Sequence, residues 1–182
     1  MIETNKNIRS LQASPNNSSI VVNWKTAKKM TSVKFQNTCG SCYSFTPIGA
    51  IESAYMIFKN TSLNLAEQEV VDCSTPYDNY GCIGGWNANT YKYIKDFGIL
   101  HESDYPYRAD FGNCTVPANP FKYSIKNYVE LANDCNVVIE ALRNQPLSIA
   151  VNSEGWMYYS SGVYTDCRVG GSNHGVVLAG VD

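Results

Sequence analysis

From Cys42 onward the run CYSFTPIGAIESAYMIFKN sets Phe45, Ile48, Ala50, Ile51, Ala54, Tyr55 and Phe58 at roughly helical spacing, which predicts one long, mostly buried helix. Pro47 is compatible with it because it falls in the early turns. The segment LAEQEVVDC predicts a second, short helix, and Asn87 to Asp96 a third that Gly98 would close. Beyond Pro117 the apolar positions fall into short β-prone runs, KYSIKNYVE, PLSIAVN, SGVYTD and HGVVLAGV, separated by Gly, Pro and Asn, with one helical insert near Val137 to Arg143. The first 19 residues are polar, rich in Asn and Ser, and contain Pro15; they read as a mobile leader, with the folded part starting near Ile20. The pattern therefore predicts an α+β chain: a leader over 1–19, a mainly helical lobe over 20–120 and a β-rich lobe over 121–182. No repeat and no Gly-Ser tether separates the halves, so they are expected to pack together and enclose a cleft, a common place for a site.

Composition narrows the function. A chain of 182 residues can bury a sizeable core, and a formal net charge of -2 gives no electrostatic footprint for nucleic acid or an anionic membrane. Apolar stretches such as Gly175 to Val181 are far too short to span a bilayer, and the start MIETNKNIRS has no signal-peptide core. No membrane partner is expected. Seven cysteines point either to disulfides in an oxidising compartment or to metal or redox chemistry in a reducing one. The odd count leaves at least one thiol unpaired. Sequons at Asn16, Asn17, Asn60 and Asn113 lean weakly toward the secretory alternative.

The segment QNTCGSCYSF, from Gln36 to Phe45, carries the chemistry. It puts Cys42 at the mouth of the first predicted helix, just after a Gly-containing turn. Unpaired backbone N–H groups and the positive end of the helix dipole would stabilise a thiolate there. A nearby imidazole would add to this effect. The sequence has only two histidines, and His174 lies in the strand-like segment SNHGVV, opposite the helical half; His101, in GILHESDYPY, reads as a surface loop residue. Glu69 and Asp72 read as solvated or capping groups, since the second helix offers them no obvious partner.

Cys39-Gly40-Ser41-Cys42-Tyr43 resembles the nucleophile motif of the papain-like cysteine peptidases, in particular the cathepsin L-like group, whose histidine follows by roughly 130 to 150 residues. His174 lies 132 positions after Cys42. VNWK, EQEVVDC, GCIGG and DYPY are similar, in order, to the start of the mature enzyme, its second helix, its substrate-binding turn and a later loop, so the likeness runs from Val22 to Val181. The resemblance implies a two-lobe fold, helical on the left, with a right-hand antiparallel β-barrel and the active site in the cleft between them. It also implies peptide-bond hydrolysis by a Cys42–His174 pair through an acyl-enzyme, with Gln36 in the oxyanion hole. Gly84 and Gly85 resemble the glycines that let an extended substrate approach, Trp86, Asn87, Ala150 and Gly175 the pocket lining, and Asn173 a source of backbone contacts. Bridges Cys39 to Cys82 and Cys73 to Cys114 follow from the family pattern, as does a distant partner for Cys167. Cys135 stays open between a buried thiol, an intermolecular link and a partner for Cys167.

The resemblance further implies no cofactor and no metal, a monomer, peptide or protein substrates, cystatin-like protein inhibitors, synthesis as a zymogen, and a lysosomal, vacuolar or extracellular location. Met1 to Asn17 would be the tail of a pro-segment. Family members complete the site with an Asn in an Asn-Ser-Trp-Gly segment well after the histidine, whereas only eight residues follow His174, so a C-terminally truncated form with an incomplete barrel is expected. Tyr43 stands where most members have Trp, as in the dipeptide-releasing branch, but no blocking domain accompanies it, which favours an endopeptidase. Three rival readings remain. A zinc site needs a second ligand pair at matching spacing, and Cys73 and Cys82 are nine apart. A thioredoxin-like Cys-x-x-Cys needs a flanking βαβ pattern. The third is a catalytically impaired fragment or dead paralogue that only binds peptides or inhibitors.

Overall fold

A computed structural model describes residues 22–182; the leader, Asn16, Asn17 and Ile20 lie outside the described residues. Among the described residues there are four α-helices: α1 (Cys42–Phe58), α2 (Glu67–Cys73), α3 (Asn87–Phe97) and α4 (Cys135–Leu142). The strands are β1 (Val22–Asn23), β2 (Leu147–Val151), β3 (His174–Leu178) and β4 (Gly180–Val181), paired antiparallel as β1 with β4 and β2 with β3.

Helix α1 is buried on almost every side, as its apolar sequence requires: Ile48, Ile51, Ala54 and Tyr55 join Leu65, Val70, Tyr93, Ile94 and Ile99 in the main core. Pro47 cannot donate to Tyr43 O four residues earlier. That carbonyl is satisfied from outside the helix, by the buried Thr90 Oγ1 at 2.9 Å. Helix α3 ends at Gly98 (φ 71°), and α4 opens on Asp134, whose carboxylate accepts from Asn136 N and Val137 N. Disulfides Cys39–Cys82 and Cys73–Cys114 close sequence separations of 43 and 41 residues, each able to stabilise the fold by about 4 kcal/mol on a loop-entropy basis.

Two features depart from the expectations. KYSIKNYVE contributes a single bridge, Ile99 to Tyr123, and SGVYTD no strand at all. Val129 and Val163 are exposed, and β propensity without a cross-strand neighbour does not make a strand. Glu69 and Asp72 are buried, not solvated. Glu69 accepts from Tyr93 Oη, Leu100 N and Lys122 Nζ, and Asp72 from Gln68, Tyr105, Arg108 and Gly112 N. Apart from Gln68 on α2 itself, their partners come from α3 and from loops far along the chain, which the α2 sequence alone does not reveal. The first described residues also cross over to the second half: β1 pairs with β4, and Trp24 Nε1 donates to Leu142 O at 2.7 Å.

One ammonium serves two buried carboxylates. Lys34 Nζ lies 2.8 Å from Glu52 and 2.6 Å from Glu67. Burial works against the Lys34 charge, but Glu67 and Glu52 outweigh it and raise its pKa. Burial pushes Glu67 up to about 7, only partly offset by Lys34. The folded state therefore holds a proton that the unfolded state has released between pH about 4.5 and 7. This contribution is fully present below that window and is lost as pH rises through it. Urea titrations of Glu67→Gln should show a flatter pH dependence than wild type, by up to about 3 kcal/mol across the window.

Candidate active site

The disulfide Cys39–Cys82 fastens the loop before α1 to the turn at Gly81–Ile83, and Gly40 N donates to Cys82 O at 2.9 Å. A Cβ on Gly40 would stand 2.6 Å from that same carbonyl. Gly40→Ala should thus force the two segments apart and lower stability by about 1–3 kcal/mol, read as a shift in the urea midpoint. From this anchor the chain turns directly into α1, so Cys42 is the first helical residue, a free and partly accessible thiol. Tyr43, next along, is buried and donates to Gly81 O at 2.8 Å, a second tie between the helix and the turn.

His174 opens β3, paired with Val151, and Gly175 faces Ala150. β3 lies directly on the start of α1. A Cβ on Gly175 would be 2.8 Å from Thr46 Oγ1, 3.2 Å from Cys42 O and 3.4 Å from Asn87 Oδ1. The absence of a side chain at Gly175 lets the strand that His174 opens lie this close to the first turns of α1. The His174 ring is half-buried, meets Trp156 edge to face at 6.2 Å, and its pKa is lowered by burial. A neutral imidazole is the form able to take a thiol proton.

Gln36 Nε2 donates to Cys39 O at 2.9 Å. An amide group carries two such hydrogens, so this bond orients the side chain and uses one of them. Gly84 (φ 145°) has open space where a Cβ would be, whereas a Cβ on Gly85 would collide with Asn79 Oδ1 and the Tyr43 ring. The glycine at 85 is therefore required by internal packing. Trp86, 66% exposed, follows on the same turn, with its N–H held by Asn79 Oδ1 at 2.9 Å. Asn87, Ala150 and Gly175 converge between α3 and the β2–β3 pair. Asn173 N donates to Val151 O, and its side chain accepts from Ser153 N, so its own N–H is already engaged.

The structure corrects two cysteine alternatives: Cys135 is a free, exposed thiol, which removes the buried reading, and Cys167 is likewise free and exposed, so the two are not bonded to each other. His101 bridges Leu65 and lies 2.9 Å from Ser103 Oγ through Nδ1. Among the described residues no group of three or more His, Cys, Asp or Glu side chains could hold a metal ion, and no helix is long and apolar enough to cross a membrane. Sequence reasoning missed Trp156, which meets His174 only through the tertiary fold, and Thr46, one turn after Cys42 on α1, whose hydroxyl lies against Gly175 of β3.

A free thiol at a helix start, an imidazole on a strand that packs against that helix and an amide donor on the preceding loop are thus carried on one α+β scaffold. The sequence matches the family model described as papain family cysteine protease over residues 19–182, and the chain belongs to that family. It is 39% identical over 163 residues to cathepsin L 2 of Paramecium tetraurelia, covering 88% of this chain and 51% of that protein. It is 38% identical over 165 residues to digestive cysteine proteinase 3 of Homarus americanus, covering 87% and 51%. The chain spans about half the length of these curated relatives. Among solved structures, digestive procathepsin L 3 from Tenebrio molitor larval midgut superposes with a TM-score of 0.83 at 32% identity, covering 92% of this chain and 56% of that one. The Carica candamarcensis cysteine protease CMS1MS2, solved in complex with E-64, gives 0.80 at 27% identity, covering 88% and 76%. The fold is thus papain-like α+β.

Proposed function

We propose that the chain carries the active site of a cysteine endopeptidase, with Cys42 as nucleophile, His174 as acid and base, and Gln36 with the Cys42 backbone N–H as oxyanion donors. The observation that supports this reading is the approach of β3 to the first turn of α1, where a Cβ on Gly175 would stand 3.2 Å from Cys42 O, with a free thiol at Cys42 and a histidine opening the strand. The Cys42 thiolate attacks the scissile carbonyl carbon, and the C=O electrons move onto oxygen, where the oxyanion donors receive them. Collapse expels the amine with a proton from the His174 imidazolium. His174 then takes a proton from water, whose oxygen attacks the thioester and releases Cys42. Peptide or protein substrates would lie extended along Gly84 and Gly85, with an apolar or aromatic side chain near Trp86, Asn87, Ala150 and Gly175.

The neighbour in complex with E-64 supports testing small active-site-directed inhibitors here, and cystatin-like proteins are proposed as larger ones acting on a monomer. The two disulfides and the digestive relatives support a lysosomal, vacuolar or extracellular setting. The test is mass-spectrometric mapping after treatment with an epoxysuccinyl inhibitor. Labelling confined to Cys42 is the expected result. Equal labelling of Cys42, Cys135 and Cys167, or none at Cys42, would overturn the reading.

A further inference from the structure

The DYPY segment has no role in the site described above, yet its last residue reaches that site. Tyr107 Oη donates to Gln36 O at 2.7 Å and lies 2.7 Å from Ser41 Oγ. A phenol has one proton, and it is committed to Gln36, so Ser41 Oγ–H is the donor in the second bond. Ser41 is completely buried, immediately precedes the nucleophile, and its carbonyl accepts from Ser44 N and Phe45 N to start α1. The result is a chain of hydrogen bonds, Ser41 to Tyr107 to Gln36, in which each bond polarises the next.

Tyr107 is itself fixed from two further directions. Its N–H donates to Glu102 Oε1 at 2.8 Å, and its ring meets Phe45 edge to face at 4.9 Å. Burial raises the phenol pKa, which keeps the donor protonated.

Resting on the reading above, we propose that Tyr107 is a positioning residue for the oxyanion site: its hydroxyl holds the Gln36 main chain and the Ser41–Cys42 helix start in register. Both proposed donors to the developing oxyanion, the Gln36 amide and the Cys42 N–H, are then set by one group that touches neither substrate nor sulfur. Losing the hydroxyl would loosen the oxyanion geometry while leaving the thiol and His174 in place.

The experiment measures two reactions of Cys42 in the 182-residue chain, with Tyr107→Phe, Ser41→Ala and the double variant beside wild type. Iodoacetamide alkylates the sulfur with loss of iodide and creates no oxyanion. A peptide aldehyde with an aromatic residue before the aldehyde does create one: sulfur bonds to the aldehyde carbon, the C=O pair moves to oxygen, and the thiol proton passes to His174 or to that oxygen. Its affinity is read as protection of Cys42 from iodoacetamide, mapped by mass spectrometry.

In Tyr107→Phe the half-protecting aldehyde concentration should rise about tenfold, below the roughly 10²–10³-fold cost of losing an oxyanion donor outright, while the alkylation rate stays within about twofold. Ser41→Ala should show the same split, smaller, and the double variant should be no worse than Tyr107→Phe. Unchanged protection, an equal fall in both reactions, or additive effects in the double variant would overturn the proposal and leave the cysteine-peptidase reading standing. If wild-type Cys42 is neither protected by the aldehyde nor alkylated faster than Cys135 and Cys167, the underlying reading fails instead. Should Tyr107→Phe not fold, Ser41→Ala decides by the same split.

Discussion

Replacing Cys42 by Ala should remove peptide hydrolysis by a factor of about 10⁵–10⁶ and abolish epoxysuccinyl labelling, with little change in stability. The size follows from the way a nucleophile and its base act as a unit, so that losing the nucleophile costs about as much as losing the whole set. On the proposed mechanism the oxyanion donors and substrate binding would survive, and these alone can retain about 10³–10⁴-fold over the uncatalysed reaction. Cys42 is partly accessible and makes no disulfide, so trimming its sulfur opens no large cavity. His174→Ala should be similarly inactive but differ in one respect: the thiol remains, and iodoacetamide still modifies it at a reduced rate. Assays on a fluorogenic peptide, paired with thermal melts, check both. Retention of hydrolysis by a well-folded Cys42→Ala would move the nucleophile elsewhere in the chain.

Much of this was legible in the sequence because it is local. Helix α1 is a long apolar run, α3 ends at a glycine, and the Cys42 motif sits within ten residues. β2 and β3 fall inside the PLSIAVN and HGVVLAGV runs. What could not be read depends on partners far along the chain. KYSIKNYVE and SGVYTD have the composition of strands, yet no described strand pairs with them beyond the one bridge at Tyr123. Glu69 and Asp72 look like surface acids until Tyr93, Lys122, Tyr105 and Arg108 arrive from 24 to 53 positions away. The site divides in the same way. Cys42 and Gln36 are near neighbours in sequence, whereas the approach to α1 of the strand that His174 opens depends on Gly175 having no side chain, and the Tyr107–Gln36 hydrogen bond spans 71 positions.

Lys34→Met should be the most damaging substitution away from the reacting groups, at about 3–5 kcal/mol near neutral pH. Glu52 is fully buried, with Thr31 Oγ1, Leu65 N and Lys34 Nζ as its donors, while Glu67 is nearly so and has Lys34 as its charged partner. Without the ammonium, two buried carboxylates would share one site with no counter-charge. The chain's whole margin is expected to be about 5–15 kcal/mol, so the loss is a large part of it. One of the two acids would respond by holding a proton, so the deficit should shrink as pH falls toward 5 and grow again above 7, which distinguishes an electrostatic cause from simple loss of packing. Adding Glu67→Gln and Glu52→Gln should recover most of the deficit at neutral pH, because a neutral cluster leaves no unpaired charge. Urea midpoints at pH 5 and 7.5 for the single and triple variants provide the check. A deficit that does not vary with pH and is not rescued by the two amides would mean that Lys34 contributes through its stem alone. Since Lys34 lies two residues before Gln36, the same variant should also slow epoxysuccinyl labelling of Cys42, and the triple variant should restore it along with stability.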